Sequence, residues 1–110
     1  MISTLLLMGM LTFPSLSVSM GHVESGMNPK AVGRAGERGA FQVQARYWGK
    51  VPKTLRGQMA QHDVVLLELL RECGEITQAV TRYNGQGPRA KRYLGKVTRE
   101  VLERELLGEV

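Results

Sequence analysis

Residues 24–44, ESGMNPKAVGRAGERGAFQVQ, combine a carboxylate, a turn signal and a Gly-rich run in one stretch. It opens on a single carboxylate, Glu24, and the 23 residues before it contain no Lys, Arg, Asp or Glu. A carboxyl group that ends an apolar segment is partly desolvated, so its pKa is raised and it stays protonated near neutral pH. A general acid needs that protonated state, which makes Glu24 the first candidate for a catalytic residue.

A long ordered loop is predicted after Glu24, because residues 25–39 are rich in Gly and contain the turn signal Asn28-Pro29. The following residues, 39–49, form a short apolar segment. Periodicity alone assigns this segment equally well to a helical turn or to a strand.

Three helices are predicted further along the chain. The first covers residues 55–71 and is ended by Gly74, and the second covers 75–83 and begins with Glu75 at the positive end of its dipole. The third starts at Pro88 and places Tyr93, Val97 and Val101 on one face at steps of four. No strand-like alternation of useful length is present. The fold is therefore predicted to be mainly α, a compact domain of about four or five short helices with one long Gly-rich loop.

The N-terminal residues 1–13 are strongly apolar and are interpreted separately from the predicted catalytic domain, 14–110. They are either an export or membrane-tethering remnant or a first helix. A helix is expected to begin near Pro14, which suits a first helical turn, with a buried stripe formed by Leu16, Met20 and Val23. Cleavage of a signal before Met20 would leave Glu24 close to a frayed end, so we expect the segment to be retained.

The 110 residues suffice for one small domain, and their formal net charge is +5. All of the basic excess lies after residue 23, so the folded surface is cationic and suits nucleic acid, an anionic membrane face or an acidic polymer. Cys73 is the only cysteine, which excludes an internal disulfide and favours a buried thiol on a helix. His22 and His62 lack companions at ligand spacing, so neither a metal site nor a cofactor is expected.

Three blocks of sequence, taken in order, resemble the soluble lytic transglycosylase type of catalytic domain, which has a goose-type lysozyme-like fold. The first is ESGMNPKAVGRAGERGAFQVQ, similar to the family's Glu-Ser at a helix end, its Asn-Pro-Ala loop and its Gly-x-x-Gln motif. The second is AVTRYNGQG at 79–87, and the third is YLGKV at 93–97. Each block alone is weak, but the ordered set spans the chain from the helix before Glu24 to Val97.

The resemblance implies a single catalytic Glu, matched here by Glu24. Members of the family cleave the β-1,4 bond between N-acetylmuramic acid and N-acetylglucosamine in peptidoglycan. The Glu protonates the leaving oxygen and then acts as base on the muramoyl C6 hydroxyl, which closes a 1,6-anhydro ring. Most glycosidases need two carboxylates, whereas here the substrate supplies the nucleophile.

The resemblance also implies roles for six further residues. Ser25 and Tyr83 would orient Glu24, with the Tyr83 hydroxyl donating to its carboxylate. The predicted substrate-binding residues are Gly39, which lets the backbone approach the sugar, together with Gln42, Asn84 and Tyr93. Structural alternatives remain open: Ser25 as a backbone-bonding loop residue, Tyr83 as a core residue, and Asn84-Gly85 as an ordinary helix stop.

Glu37 is the nearest acid to Glu24 in the Gly-rich run, and we expect it to be solvated or paired with an arginine. If it instead faces Glu24 across the cleft, it can activate water, and the enzyme would be a hydrolytic muramidase of the same fold.

Two further alternatives come from outside this chemistry. One is a basic helical nucleic-acid-binding protein, with a patch of Arg89, Lys91, Arg92, Lys96 and Arg99. The other is a degenerate domain that binds glycan without cutting it. We favour the enzyme, because only it uses the set of Glu24, Gln42 and Tyr83-Asn84.

The favoured interpretation also predicts the partner, the oligomeric state and the location of the protein. The partner would be peptidoglycan glycan strands rather than nucleic acid, and the protein would act as a monomer, with membrane association only through the N-terminal segment. Such a compact version of the family suits a phage or conjugation apparatus, and the expected location is the periplasm or cell envelope.

Overall fold

A computed structural model describes residues 14–107, and 68% of this part of the chain is helical. The predicted apolar segment 1–13 lies outside the described residues. Five helices lie within them: α1 (Pro14–Ser25), α2 (Ala45–Trp48), α3 (Leu55–Cys73), α4 (Ile76–Asn84) and α5 (Pro88–Leu107). The predicted mainly α fold is therefore confirmed. None of the helices between residues 14 and 107 combines the length and the apolar character needed to cross a bilayer.

The ends of the middle helices are set by capping residues. The Thr54 side chain accepts a hydrogen bond from the Gly57 N–H at 3.0 Å and starts α3, and Gly74, at φ 82°, ends it in the left-handed conformation. Glu75 precedes α4 and accepts from the Gln78 N–H at 3.1 Å. Both features agree with the predicted helix boundaries.

The helices pack around one core. α3 packs mainly on α4, α4 on α5, and α1 on both α5 and α3. Every helix except α2 contributes apolar side chains to a buried cluster, and the largest fully buried one, Phe41, comes from the segment that follows the Gly-rich loop. Phe41 thereby anchors the loop in the helical core.

The buried face of α1 differs from the predicted stripe. Met20 is fully buried as expected, but Leu16 and Val23 are only partly buried. The other fully enclosed side chains of α1 are serines: Ser15, Ser17 and Ser19. Small polar side chains can replace apolar ones here because partners are at hand, such as Asp63, which accepts from Ser17 Oγ at 2.8 Å.

The Gly-rich loop is ordered, as predicted, by backbone pairing. Arg38 forms isolated bridges with Val32 and with Val43, and the Gly39 N–H donates to the Ala31 carbonyl at 2.9 Å. The chain then passes directly into α2. Of the two alternatives for residues 39–49, the helical turn is realised in α2, whereas Val43 forms an isolated bridge and no strand.

Gln58, in the first turns of α3, holds the loop to the helices. Its Nε2 donates to the Pro29 carbonyl at 3.0 Å and to the Pro52 carbonyl at 2.8 Å. Its Oε1 accepts from the Ala40 N–H at 2.8 Å. The side chain is buried, so one carboxamide satisfies backbone groups of three separate segments.

Candidate active site

Glu24 is the penultimate residue of α1, and its side chain is half-buried. Burial raises the pKa of Glu24 from 4.5 to about 7. The Tyr93 hydroxyl and the positive charge of Arg89 lower this pKa, whereas the negative charge of Glu37 raises it. Glu24 is therefore close to half-protonated at neutral pH, the condition under which one carboxyl group can both donate and accept a proton.

Tyr93, on α5, is the tyrosine that reaches Glu24. Burial raises the pKa of Tyr93 far above its usual value, and the charge of Glu24 raises it further, so the hydroxyl remains a donor. This hydroxyl is buried and forms no hydrogen bond of good geometry with any group among residues 14–107. It nevertheless lies close enough to Glu24 to lower the pKa of that carboxyl group. An unoccupied donor thus sits beside the candidate acid.

Tyr83 occupies a different position from the predicted one. Its hydroxyl donates to the Phe41 carbonyl at 2.7 Å rather than to the Glu24 carboxylate. Its ring stacks on that of Tyr93 with the centroids 6.5 Å apart and the planes inclined by 10°. The predicted donor role therefore passes to Tyr93, because the loop carbonyl of Phe41 takes the Tyr83 hydroxyl. Tyr83 acts on the site as a support for Tyr93 and the loop.

Ser25 supports Glu24 through the backbone. Its hydroxyl donates to the Ala40 carbonyl at 2.7 Å and accepts from the Asn28 N–H at 3.0 Å. Neither bond involves the Glu24 side chain, so any orienting effect of Ser25 on Glu24 acts through the backbone. Ser25 instead ties the end of α1 to the Gly-rich loop, which fixes the residue that precedes it.

Gly39 and Gln42 form one tight turn. Both have left-handed backbone, with φ 82° and φ 51°, and the Gln42 Nε2 donates to the Gly39 carbonyl at 3.0 Å. A Cβ at Gly39 would lie 2.7 Å from Gln58 Oε1, so a protein side chain already requires glycine at this position, and the close approach of a sugar stays a prediction. A non-glycine residue held at positive φ is strained, and such strain gathers at functional sites.

Asn84, the last residue of α4, has a buried Oδ1 that accepts no hydrogen bond from any described residue. Gly85 follows it and ends the helix, but with φ 122° and ψ −133° it does not adopt the left-handed conformation of the ordinary helix stop offered as the structural alternative. Because this acceptor is free, Asn84 can still bind substrate, and its substrate-binding role stays a prediction.

Glu37 approaches Glu24 closely enough for its charge to raise the Glu24 pKa. Its Oε1 accepts from the Ala35 N–H at 2.8 Å, and its side chain is partly buried. Of the two expectations for Glu37, an ion pair with a described arginine is not found, and the side chain stays partly exposed. Its link to Glu24 is the effect of its negative charge on the Glu24 pKa.

Several residues that support the site were missed in the sequence. His62 is fully buried, with its ring centroid 4.6 Å from that of Phe41 and 5.2 Å from that of Tyr83. Its Nδ1 lies 3.0 Å from Asp63 Oδ1. Its Nε2 lies 3.3 Å from Met20 Sδ. No periodic signal marks a buried histidine on a helix, and its carboxylate partner Asp63 is adjacent in sequence. Within residues 14–107, no group of three or more His, Cys, Asp or Glu side chains is arranged to hold a metal ion.

Comparisons of this chain with protein-family models, curated proteins and solved structures give no match. The family resemblance therefore stands on the sequence motifs. The geometry adds a titratable carboxyl group, a protonated donor beside it and a second carboxyl group nearby, which together suit acid–base cleavage of a polar substrate.

Proposed function

We propose that this domain is a peptidoglycan lytic transglycosylase that cleaves the bond between N-acetylmuramic acid and N-acetylglucosamine and leaves a 1,6-anhydro end. The observation that carries this proposal is the half-buried Glu24, whose pKa of about 7 lets one group serve as acid and then as base. The choice of peptidoglycan as substrate is supported by the ordered sequence blocks around Glu24, Tyr83 and Tyr93, which resemble those of the lytic transglycosylases.

The proposed reaction uses Glu24 twice. Protonated Glu24 gives its proton to the glycosidic oxygen, and the bond to the anomeric carbon breaks as positive charge develops on the sugar. The resulting Glu24 carboxylate is stabilised by the Tyr93 hydroxyl and by the Arg89 charge, both of which lower its pKa. It then accepts the proton of the muramoyl C6 hydroxyl as that oxygen bonds to the anomeric carbon, which restores the acid.

Neighbouring polar groups support sugar binding. Asn84 Oδ1 is a free acceptor among the described residues. An amide oxygen of this kind is suited to the acetamido N–H and hydroxyl groups of the glycan. The net charge of +5 favours the acidic bacterial wall, so the proposed location is the periplasm or cell envelope.

The pH–rate profile tests the acid role of Glu24. Because the protonated form starts the reaction, kcat/KM should be level below pH 7 and fall about tenfold per unit above it. Tyr93→Phe removes an interaction that lowers the Glu24 pKa, so the falling limb should move to higher pH. Turnover of purified peptidoglycan at several pH values measures both profiles. A fall of kcat/KM that begins near pH 4.5, or no fall below pH 9, would contradict the role of Glu24 as a buried acid.

A hydrolytic muramidase is the second candidate, and one observation favours it. Glu37 lies near Glu24, carries no arginine partner among the described residues and is anchored by the Ala35 N–H. A second carboxylate across a cleft can activate water, which is the arrangement of inverting glycosidases.

Glu37→Gln separates the two candidates. If the substrate supplies the nucleophile, the variant should retain kcat within about threefold, and removal of the like charge should move the falling limb to lower pH. If Glu37 activates water, kcat should fall by about 10² or more. The comparison of kcat and limb position in wild type and variant decides between them.

A further inference from the structure

A groove of about 530 Å³ runs along the Gly-rich loop, and none of the candidate catalytic side chains lines it. One wall is formed by residues 29–32 and the other by residues 50–53, just before α3. Gly39 and the buried Gln58 lie between these walls, so the hydrogen bonds of Gln58 fix the shape of the groove.

All the charged side chains that line the groove are positive. Lys30, Arg38, Lys50 and Lys53 line it, all four are exposed, and no Asp or Glu is found among the described residues that share the lining. None of the four forms an ion pair with a described carboxylate. Four cations without counter-charges around one concave surface favour an anionic ligand.

The remaining lining selects among anionic ligands. It is formed mainly by small apolar side chains, including Ala31, Val32, Val51 and Pro52. A ligand that fills this groove therefore needs carboxylates or phosphates for the cations together with small apolar groups for the floor. A short peptide rich in alanine and acidic residues has both, whereas a sugar-phosphate polymer offers few apolar groups.

Resting on the proposed cleavage of peptidoglycan, we propose that this groove binds the carboxylate-bearing stem peptide of the glycan strand. The alanine methyl groups lie on the apolar floor, and the peptide carboxylates face the lysines. Loop geometry connects the two sites, because Glu37 acts on Glu24 while its neighbour Arg38 lines the groove. The groove thus recognises wall that still carries peptide.

A direct titration tests the groove without any cleavage. The soluble tetrapeptide Ala–γGlu–diaminopimelate–Ala, added to Glu24→Gln protein and followed by NMR shifts, should perturb residues 29–32 and 50–53. In the same background, Lys50→Gln with Lys53→Gln should weaken its binding about three- to tenfold, whereas Lys91→Gln, an exposed charge outside the groove, should not. No binding of the peptide, or tighter binding of poly(glycerol phosphate) at the same residues, would overturn the proposal.

A kinetic comparison links the groove to the proposed reaction. On intact peptidoglycan the double lysine variant should raise KM about three- to tenfold with kcat unchanged, and on glycan stripped of peptides it should match wild type. An equal KM increase on both substrates would contradict peptide recognition. Failure of wild type to cleave either substrate would refute the proposed function, while the titration would still report on the groove.

Discussion

Glu24→Gln should reduce peptidoglycan cleavage by about 10³-fold or more, because the amide keeps the shape of the side chain but can neither give nor take the proton. The loss should appear in kcat, because no other described acid takes the place of Glu24 next to the scissile bond. KM should change little, because the contacts to the substrate remain. Release of soluble muropeptides by wild type and variant, at equal protein concentration, measures the effect.

The control is the stability of the same variant. The folded-state pKa of Glu24 is raised above its ordinary value of 4.5, so wild type should lose stability as pH rises from 4.5 through about 7, by about 2–3 kcal/mol. Glu24→Gln should lack this loss and be no less stable than wild type at pH 8. Cleavage retained by a folded Glu24→Gln protein would exclude Glu24 as the acid.

Gln58→Met should lower the free energy of unfolding by about 3 kcal/mol or more. Methionine has a similar volume but leaves the Ala40 N–H and the carbonyls of Pro29 and Pro52 without their partner. A loss of this size corresponds to a fall in Tm of more than about 10 °C for a domain of this length. Urea and thermal unfolding, followed by circular dichroism, provide the two values.

Gln61→Met, one turn further along α3, is the matched control. The Gln61 Nε2 donates only over longer distances, 3.4, 3.2 and 3.3 Å to the carbonyls of Trp48, Gly49 and Lys50, and its Oε1 is buried without a partner. This substitution should therefore cost less than about 1 kcal/mol. Equal losses for both variants would mean that the Gln58 hydrogen bonds are not what holds the loop.

The helices could be predicted from the sequence because their signals are local. Gly74, Glu75 and Pro88 mark helix ends by their own conformational preferences and charge, and each acts there in the structure. The Gly-rich loop was predictable for the same reason. The order of the loop depends on Gln58. The apolar pattern of the helix predicts a surface position for this polar residue, but Gln58 is buried.

The internal geometry of the site could be predicted only in part. Glu24 was identified from its apolar surroundings, and burial does raise its pKa. The donor role predicted for Tyr83 belongs to Tyr93, because sequence spacing does not give the relative rotation of α4 and α5 or the capture of the Tyr83 hydroxyl by the Phe41 carbonyl. Nor does spacing reveal that Glu37 approaches Glu24.

The buried serines of α1 illustrate the same limit. Ser17 pairs with Asp63 from a different helix, and Ser15 Oγ donates to Glu105 at 2.8 Å. Such partners are distant in sequence, so a helical pattern alone favours Leu16 and Val23 for the interior. Long-range polar pairing accounts for the burial of Ser15 and Ser17, whereas the fully buried Ser19 Oγ has no hydrogen-bond partner among the described residues.

The mass of the products released from purified peptidoglycan by wild-type protein distinguishes transglycosylation from hydrolysis. We expect muropeptides ending in 1,6-anhydro-N-acetylmuramic acid, absent from the Glu24→Gln digest. Products heavier by one water, with free reducing ends, would contradict the transglycosylase reaction and assign the second carboxyl group, Glu37, to water activation. Absence of any release by folded wild type would contradict cleavage itself.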